Sequence, residues 1–374
     1  MDLGLSEEQT MLKDSAIEFL NAELPKTRVR ELFESEDGFA PDIWKQMADL
    51  GWTGLIIPEE YGGAGTDLQT LGVLYEELGA ALAPSPHLSS AVLSALTIEG
   101  AGSDDQKKNL LPAIANGEQT LAFAFTEPDY GWGPERVQLT ARGEAGNYTL
   151  DGTKLFVPDA HIADQILVIG RTQGGQEHGL TAFLVDKDAP GLSIRTQSGW
   201  LGDKMNEVTF DGVKASDVIG PVNGIWPVLD SVLDKATGVL SAYMVGGCRT
   251  VLEMAVEYSQ NRVQFGVPIG TFQRVQDWLI MGVNIEQSAR WTTFEGLWKV
   301  DAGKEDAAQA ISMAKVVSSN GYFKAAEAAH HVHGGIGIDL DYGLTWYTQK
   351  ARTLQHYLGD AVHHRARMAR LMDL

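Results

Sequence analysis

The hydrophobic period of this chain changes twice, and that double change limits the possible folds more than any single motif does. Up to about residue 117 apolar residues recur at helical spacing. From Thr120 to Val213 they alternate in short runs, and after Gly220 the helical spacing returns. Ser6-Glu7-Glu8-Gln9 reads as a capping box, followed by Leu5, Met11, Leu12, Ala16, Phe19 and Leu20 on one face. Further helices are expected over 41–50, 67–82, 87–99 and 104–116, with Pro84 and Pro86 stopping the helix before them. Strands are expected over 120–125, 137–142, 148–155, 165–171, 180–185, 192–195 and 207–213. Asp151-Gly152, Gly174-Gly175 and Asp211-Gly212 mark turns between them. Long helices then read over 226–259, 272–300 and 306–329, with shorter ones near 343–352 and 360–372. Val239, Tyr243, Val251, Met254 and Ala255 recur on one face of the first, as in an antiparallel bundle. The expected class is α+β: an N-terminal all-α domain (1–119), a small β-barrel or sandwich (120–222) and a C-terminal four-helix bundle (223–374).

Charge and residue usage exclude several functions. A formal charge of −21 argues against nucleic acid or an anionic membrane as the main partner. Cys248 is the only cysteine, so neither an intrachain disulfide nor a cysteine metal cluster is available. His330, His331 and His333 lack a suitably spaced carboxylate or cysteine, so no metal site is expected. The acidic start is unlike a signal peptide, and no apolar run reads as a bilayer span, so a cytoplasmic protein is expected. Glu76 and Glu77 read as a solvated helix face. Trp226, Trp278, Trp291, Trp298 and Trp346 read as core or interface residues.

Between two long helical patterns lies Asn261-Arg-Val-Gln-Phe-Gly-Val-Pro-Ile-Gly-Thr-Phe-Gln273, where Gly266, Pro268 and Gly270 break the helix. Arg262 ends the incoming helix, with Gln264 and Phe265 beside it. A guanidinium, an amide and an aromatic ring on a turn can grip a phosphate-bearing cofactor. The same arginine can instead pair with the carbonyl end of its own helix.

The α–β–α order, taken with five local motifs, resembles the acyl-CoA dehydrogenase family over essentially the whole chain. The motifs are Pro58-Glu59-Glu60-Tyr61-Gly62-Gly63, Phe125-Thr126-Glu127-Pro128, Leu150-Asp151-Gly152-Thr153-Lys154, Arg262-Val263-Gln264-Phe265-Gly266 with Phe272-Gln273, and His333-Gly334-Gly335-Ile336-Gly337. The ending Gly359-Asp360-Ala361-Val362-His363-His364-Arg365 is similar to a branch that often pairs large and small subunits on bulky or dicarboxylic acyl groups, including steroid side chains. The resemblance implies FAD as cofactor, an acyl-CoA thioester as substrate and an electron-transfer flavoprotein as acceptor. A carboxylate would remove the α proton while hydride leaves the β carbon for the flavin. It also implies that a neighbouring subunit grips the adenosine and pyrophosphate half of FAD. The matching residues are Arg262, Gln264, Phe265, Gln273, Gly334 and Gly335, with His331 standing where the family usually has Gln. Thr126 matches a residue on the flavin-ring side.

The flavin-ring side departs from the pattern elsewhere. Asp129-Tyr130-Gly131-Trp132-Gly133 replaces a small-residue turn ending in Gly-Ser, and Pro158 stands where a threonine is expected. Trp132 would crowd a flavin ring, and Pro158 offers neither hydroxyl nor N–H. The family's base position falls on Leu358 in Tyr357-Leu358-Gly359, and its alternate position on Ala236. Neither residue takes a proton. Asp360 and Asp234 are the nearest acids, and each has a simpler reading, as a helix cap and an ion-pair member respectively. The readings are a subunit of a heterotetrameric dehydrogenase whose partner supplies the base, a self-sufficient homo-oligomer with an unusual base, and a family member with other flavin chemistry or a non-catalytic role.

Overall fold

The computed structural model describes residues 4–374 except 130, 145, 174, 176–178 and 201–202. Tyr130 and the Gly174 half of the expected Gly174-Gly175 turn therefore lie outside the described residues.

Six α-helices come first: α1 (Glu7–Glu23), α2 (Lys26–Glu34), α3 (Pro41–Asp49), α4 (Leu68–Ala80), α5 (Ala95–Ala101) and α6 (Asp104–Ala115). The capping box opens α1, with the Ser6 hydroxyl accepting from the Gln9 N–H and the Gln9 side chain accepting from the Ser6 N–H. A second box, Ser103 with Gln106, opens α6. Helix α2 escaped the sequence reading because its KTRVRELFE run is short and polar. Residues 87–94 wind as a π-helix rather than an α-helix.

The strands are β1 (Leu121–Ala124), β2 (Thr140–Glu144), β3 (Asn147–Pro158), β4 (Gln165–Arg171), β5 (Leu180–Asp186), β6 (Leu192–Ser198), β7 (Lys204–Lys214) and β8 (Asp217–Ile219). They form one eight-stranded sheet in the order β6-β7-β3-β2-β4-β5-β8, with β1 paired parallel to β4. The expected seven strands are present, and β8 is additional. Its core is a closed apolar cluster including Leu150, Val157, Ile166, Val168, Phe183, Val208 and Phe210.

Helix α7 (Trp226–Asn261), a hairpin of β9 (Val263–Gln264) and β10 (Val267–Pro268), and helices α8 (Gln273–Asp301), α9 (Ala307–His333), α10 (Leu344–His356) and α11 (Ala361–Leu371) complete the chain. Contrary to the sequence reading, α7 is long and apolar enough to cross a membrane. Yet 72% of its most apolar stretch is buried inside the protein, as in the core helix of a bundle.

By contacts the chain divides into two compact units. One joins the residues up to Glu31 with Asp67–Ala83 and Thr237–Leu374. The other joins Leu32–Thr66 with Pro84–Ala236 and carries the sheet. Both α2 and α7 cross the division.

In the first unit, Glu76 and Glu77 are buried rather than solvated. Arg249 of α7 donates to Glu76 at 2.8 Å and to both oxygens of Glu77 at 3.0 and 2.5 Å, and Arg290 of α8 lies 3.5 Å from Glu76. Burying two carboxylates is tolerable only with such partners. The expectation of a solvated face failed because the guanidinium that requires their burial lies some 170 residues away.

Candidate cofactor and base site

Arg262 follows the last turn of α7, and its carbonyl accepts the Ile269 N–H at 2.9 Å across the hairpin. Val267 pairs with Gln264 and Pro268 with Val263, so only Phe265 and Gly266 form the turn. Both have positive φ, 54° and 82°, as a type I′ turn requires. The turn holds the Phe265 ring 93% exposed, touching Phe272 edge-on at a centroid distance of 6.1 Å. Arg262 is exposed and forms no ion pair with another described residue. Among the described residues no side-chain bond ties it to its own helix end, the alternative that the sequence left open. Gln264 is exposed and donates to the Val263 carbonyl, and Gln273 is the exposed first residue of α8.

The tip of α9 belongs to the same unit. His331 stacks on Trp278 of α8, ring centroids 4.2 Å apart and planes 12° apart. Gly334 ends α9 at φ 62°, ψ −137°, a conformation open to glycine. A Cβ added at Gly334 or Gly335 would meet nothing within 4 Å, so this backbone is open for a ligand to approach. His333 is tied into the protein instead. It bonds to the Ala329 carbonyl at 2.7 Å and the Tyr342 hydroxyl at 2.8 Å, and stacks on Tyr258. The structure thus brings Arg262, Gln264, Phe265 and Gln273 onto one hairpin and helix start, with His331, Gly334 and Gly335 at the α9 tip. An unpaired guanidinium with open glycine backbone is a donor set that fits a diphosphate.

The turn carrying Thr126 lies in the other unit and is closed on itself. The Thr126 hydroxyl donates to the Leu155 carbonyl at 2.5 Å, so its proton is already committed. Glu127 accepts from Lys154 Nζ at 2.7 Å and from the Gln138 and Leu139 N–H groups at 2.8 and 2.9 Å. Lys154 also donates to the Phe125 carbonyl at 2.9 Å, and burial pushes its ammonium down to about 8 against the pull of Glu127. Arg171 holds the Val137 and Pro134 carbonyls at 2.8 and 2.7 Å. Inside this frame the buried Trp132 ring lies parallel to Phe125, 5.5 Å away, and Phe125 touches Trp226 at 6.3 Å. The Glu127–Lys154 pair went unrecognised in the sequence although both residues sit in quoted motifs, because pairing across 27 positions has no local signal.

The two positions that the resemblance matches to the family's base, Leu358 and Ala236, are both apolar and buried. Leu358 is 2% exposed, at φ 58°, in the turn between α10 and α11. Its carbonyl accepts from His364 Nε2 at 2.8 Å, which leaves Nδ1 to accept from the Ser312 hydroxyl at 3.3 Å. Lys315 of α9 is fully buried and donates to the Leu354 and Gln355 carbonyls at 2.9 and 3.4 Å, capping the end of α10. Burial pushes its ammonium down to about 7, opposed by Asp360. Asp360 caps α11 by accepting the His363 N–H at 2.8 Å. Asp234 lies half-buried on α7, two residues before the fully buried Ala236. Lys315 was not picked out from the sequence. The usable signal was a lone charge in the run Ala310-Ile-Ser-Met-Ala-Lys-Val-Val. Among the described residues no cluster of His, Cys, Asp or Glu could hold a metal ion.

Three family models match the chain in order: the acyl-CoA dehydrogenase N-terminal domain over residues 6–118, the middle domain over 122–213 and the C-terminal domain over 226–372. A 3-(aryl)acrylate reductase of Clostridium sporogenes is 30% identical over 362 residues, 95% of each chain. The FAD complex of PigA is 26% identical with a TM-score of 0.92, each chain fully covered. The ChsE4-ChsE5 complex from Mycobacterium tuberculosis is 26% identical with a TM-score of 0.90, covering 100% of this chain and 99% of that one. The chain belongs to the acyl-CoA dehydrogenase family, oxidoreductases that act on CH–CH bonds.

Proposed function

We propose that this chain is one subunit of a heteromeric, FAD-dependent acyl-CoA dehydrogenase, working on an acyl-CoA in the cytoplasm and passing electrons to an electron-transfer flavoprotein. The observation that carries the reading is the turn between α10 and α11. It is held by Lys315, His364 and the Asp360 cap, yet it presents a buried leucine where a proton acceptor is needed. Losing a positioned general base typically costs roughly 10²–10⁴ in rate. The base is therefore assigned to a partner of the same family. The similarity to the ChsE4-ChsE5 complex supports such an assembly.

This chain's contribution is the grip. Arg262 offers a guanidinium fork to phosphate oxygens, and the open backbone at Gly334 and Gly335 lets a diphosphate come close. Phe265 and Phe272 offer apolar cover beside it. FAD supplies the electron sink once bound. Pro158 and the buried Trp132 suit a chain that does not seat the flavin ring itself.

Purified alone, the chain should carry little flavin and should not turn over. Co-expressed with a family member bearing the catalytic Glu, it should copurify with FAD and gain activity, and Arg262→Ala in this chain should lower the flavin content of the complex. Yellow, active protein from the lone chain would sink the heteromeric reading.

A further inference from the structure

A cleft of about 530 Å³ lies between α1, the start of α2, the end of α4, α7 and the start of α10. Its lining falls within one compact unit and includes no residue of the candidate cofactor or base site. The volume is that of a small-molecule pocket. Leu20, Leu24, Val29, Leu82, Trp346 and Tyr347 line it and are all buried, which gives it an apolar inner wall. Leu82 follows α4 at φ 51°, which a leucine keeps only where the packing around it fixes the backbone. The polar groups of that wall are committed to the protein itself. The Ala80 carbonyl accepts from the Tyr347 hydroxyl at 2.7 Å and from the Thr250 hydroxyl at 3.2 Å.

The charges of the lining balance except for one. Lys13 lies 3.8 Å from Glu77, while Arg249 pairs with Glu77 at 2.5 Å and lies 3.8 Å from Glu253. Those two cations and two carboxylates offset one another. Lys26, at the start of α2, is the remaining charge of the lining. It is exposed and pairs with no carboxylate among the described residues. Its ammonium donates to the Tyr342 carbonyl at 3.4 Å and has further donors to give. In a chain of formal charge −21, an apolar wall beside one uncompensated ammonium suits a single anionic head on an apolar body. The balanced group around Glu77 leaves no cation for a second head.

We propose that this cleft is a ligand site separate from the cofactor grip. It takes a free aliphatic monocarboxylic acid, whose chain lies against Leu24, Leu82 and Trp346 and whose carboxylate pairs with Lys26.

The test is a calorimetric titration of the full chain with octanoate, and with octylammonium, which has the same body and the opposite head. Octanoate should bind one site with a dissociation constant below about 1 mM, and octylammonium at least about fivefold more weakly. Lys26→Met keeps an apolar stem at the mouth but removes the ammonium, and should weaken octanoate about fivefold. Ala81 also lines the cleft and is half-buried, so Ala81→Leu narrows the seat without removing a side-chain bond. It should weaken octanoate by about tenfold or more in a chain whose melting transition shows it folded. Octanoate held equally well by Lys26→Met, or octylammonium held as tightly as octanoate, overturns the carboxylate assignment. Octanoate held equally well by a folded Ala81→Leu chain overturns the cleft as the seat. No saturable binding up to about 5 mM octanoate overturns the site altogether.

Discussion

His364 shows how much one buried side chain governs. Burial pushes its imidazole from the ordinary 6.5 down to about 3, opposed by its bond to the Leu358 carbonyl. His87, buried against the Trp52 carbonyl at 2.9 Å, is pushed down to about 4 for the same reason. In the unfolded chain both take up protons near pH 6.5, while in the folded chain they do not until the pH is far lower. The unfolded state therefore binds more protons between those limits, and stability falls as pH drops through the window from about 6.5 to 3. Above pH 6.5 neither group contributes to the slope. Urea midpoints measured from pH 7 to pH 4 should decline, and a His364→Gln chain should decline less steeply, whatever its stability at pH 7. Parallel declines would remove His364 from the account.

The crossing of α4 and α7 is set by glycines. A Cβ at Gly79 would lie 1.9 Å from the Tyr243 carbonyl oxygen, and one at Gly246 would lie 1.8 Å from that of Glu76. Neither backbone can yield without separating the helices, and that contact also buries Glu76 and Glu77 against Arg249. Gly246→Ala should lower unfolding free energy by about 1–3 kcal/mol or prevent folding, although alanine favours a helix by about 1 kcal/mol. A thermal midpoint at or above that of the unaltered chain would refute the close crossing. Most of the helices, the Ser6–Gln9 capping box and seven of the strand runs were legible in the sequence because period and cap residues are local signals, whereas α2, β8 and the Ser103–Gln106 box were not read. The hairpin was legible only as a break. Its two-residue turn depends on Phe265 adopting a positive φ, a conformation few side chains other than glycine favour. The glycine crossing and the ion pairs of Glu76, Glu77 and Lys154 were not legible, since each is fixed by a residue distant in sequence. Among the candidate site residues, the placement of Arg262 just after α7 and of Gly334–Gly335 just after α9 could be read from the helix breakers around them.

At the scale of the whole molecule, the proposed grip is exposed in one unit, and the Trp132–Phe125 frame is buried in the other. If the flavin-ring side is closed by its own side chains, opening it should change what the chain holds. Trp132 fills the frame by lying flat on Phe125, while Glu127, Lys154 and Arg171 fix the surrounding backbone through five bonds to carbonyls or N–H groups. Because that backbone is held independently of the indole, Trp132→Ser should leave the frame standing and remove only the ring. Deleting so large a buried side chain costs stability, about 3–5 kcal/mol for a tryptophan replaced by a small residue, so the variant is checked first by its melting transition. A folded Trp132→Ser chain, together with Pro158→Thr to return a hydroxyl and an N–H, should retain more FAD on its own than the unaltered chain, read from the ratio of flavin to protein absorbance. It should still fail to turn over an acyl-CoA, because Leu358 supplies no base. A folded double variant with no gain in flavin would mean that Trp132 and Pro158 do not close the seat. The proposed dependence on a partner for flavin would then have to lie elsewhere.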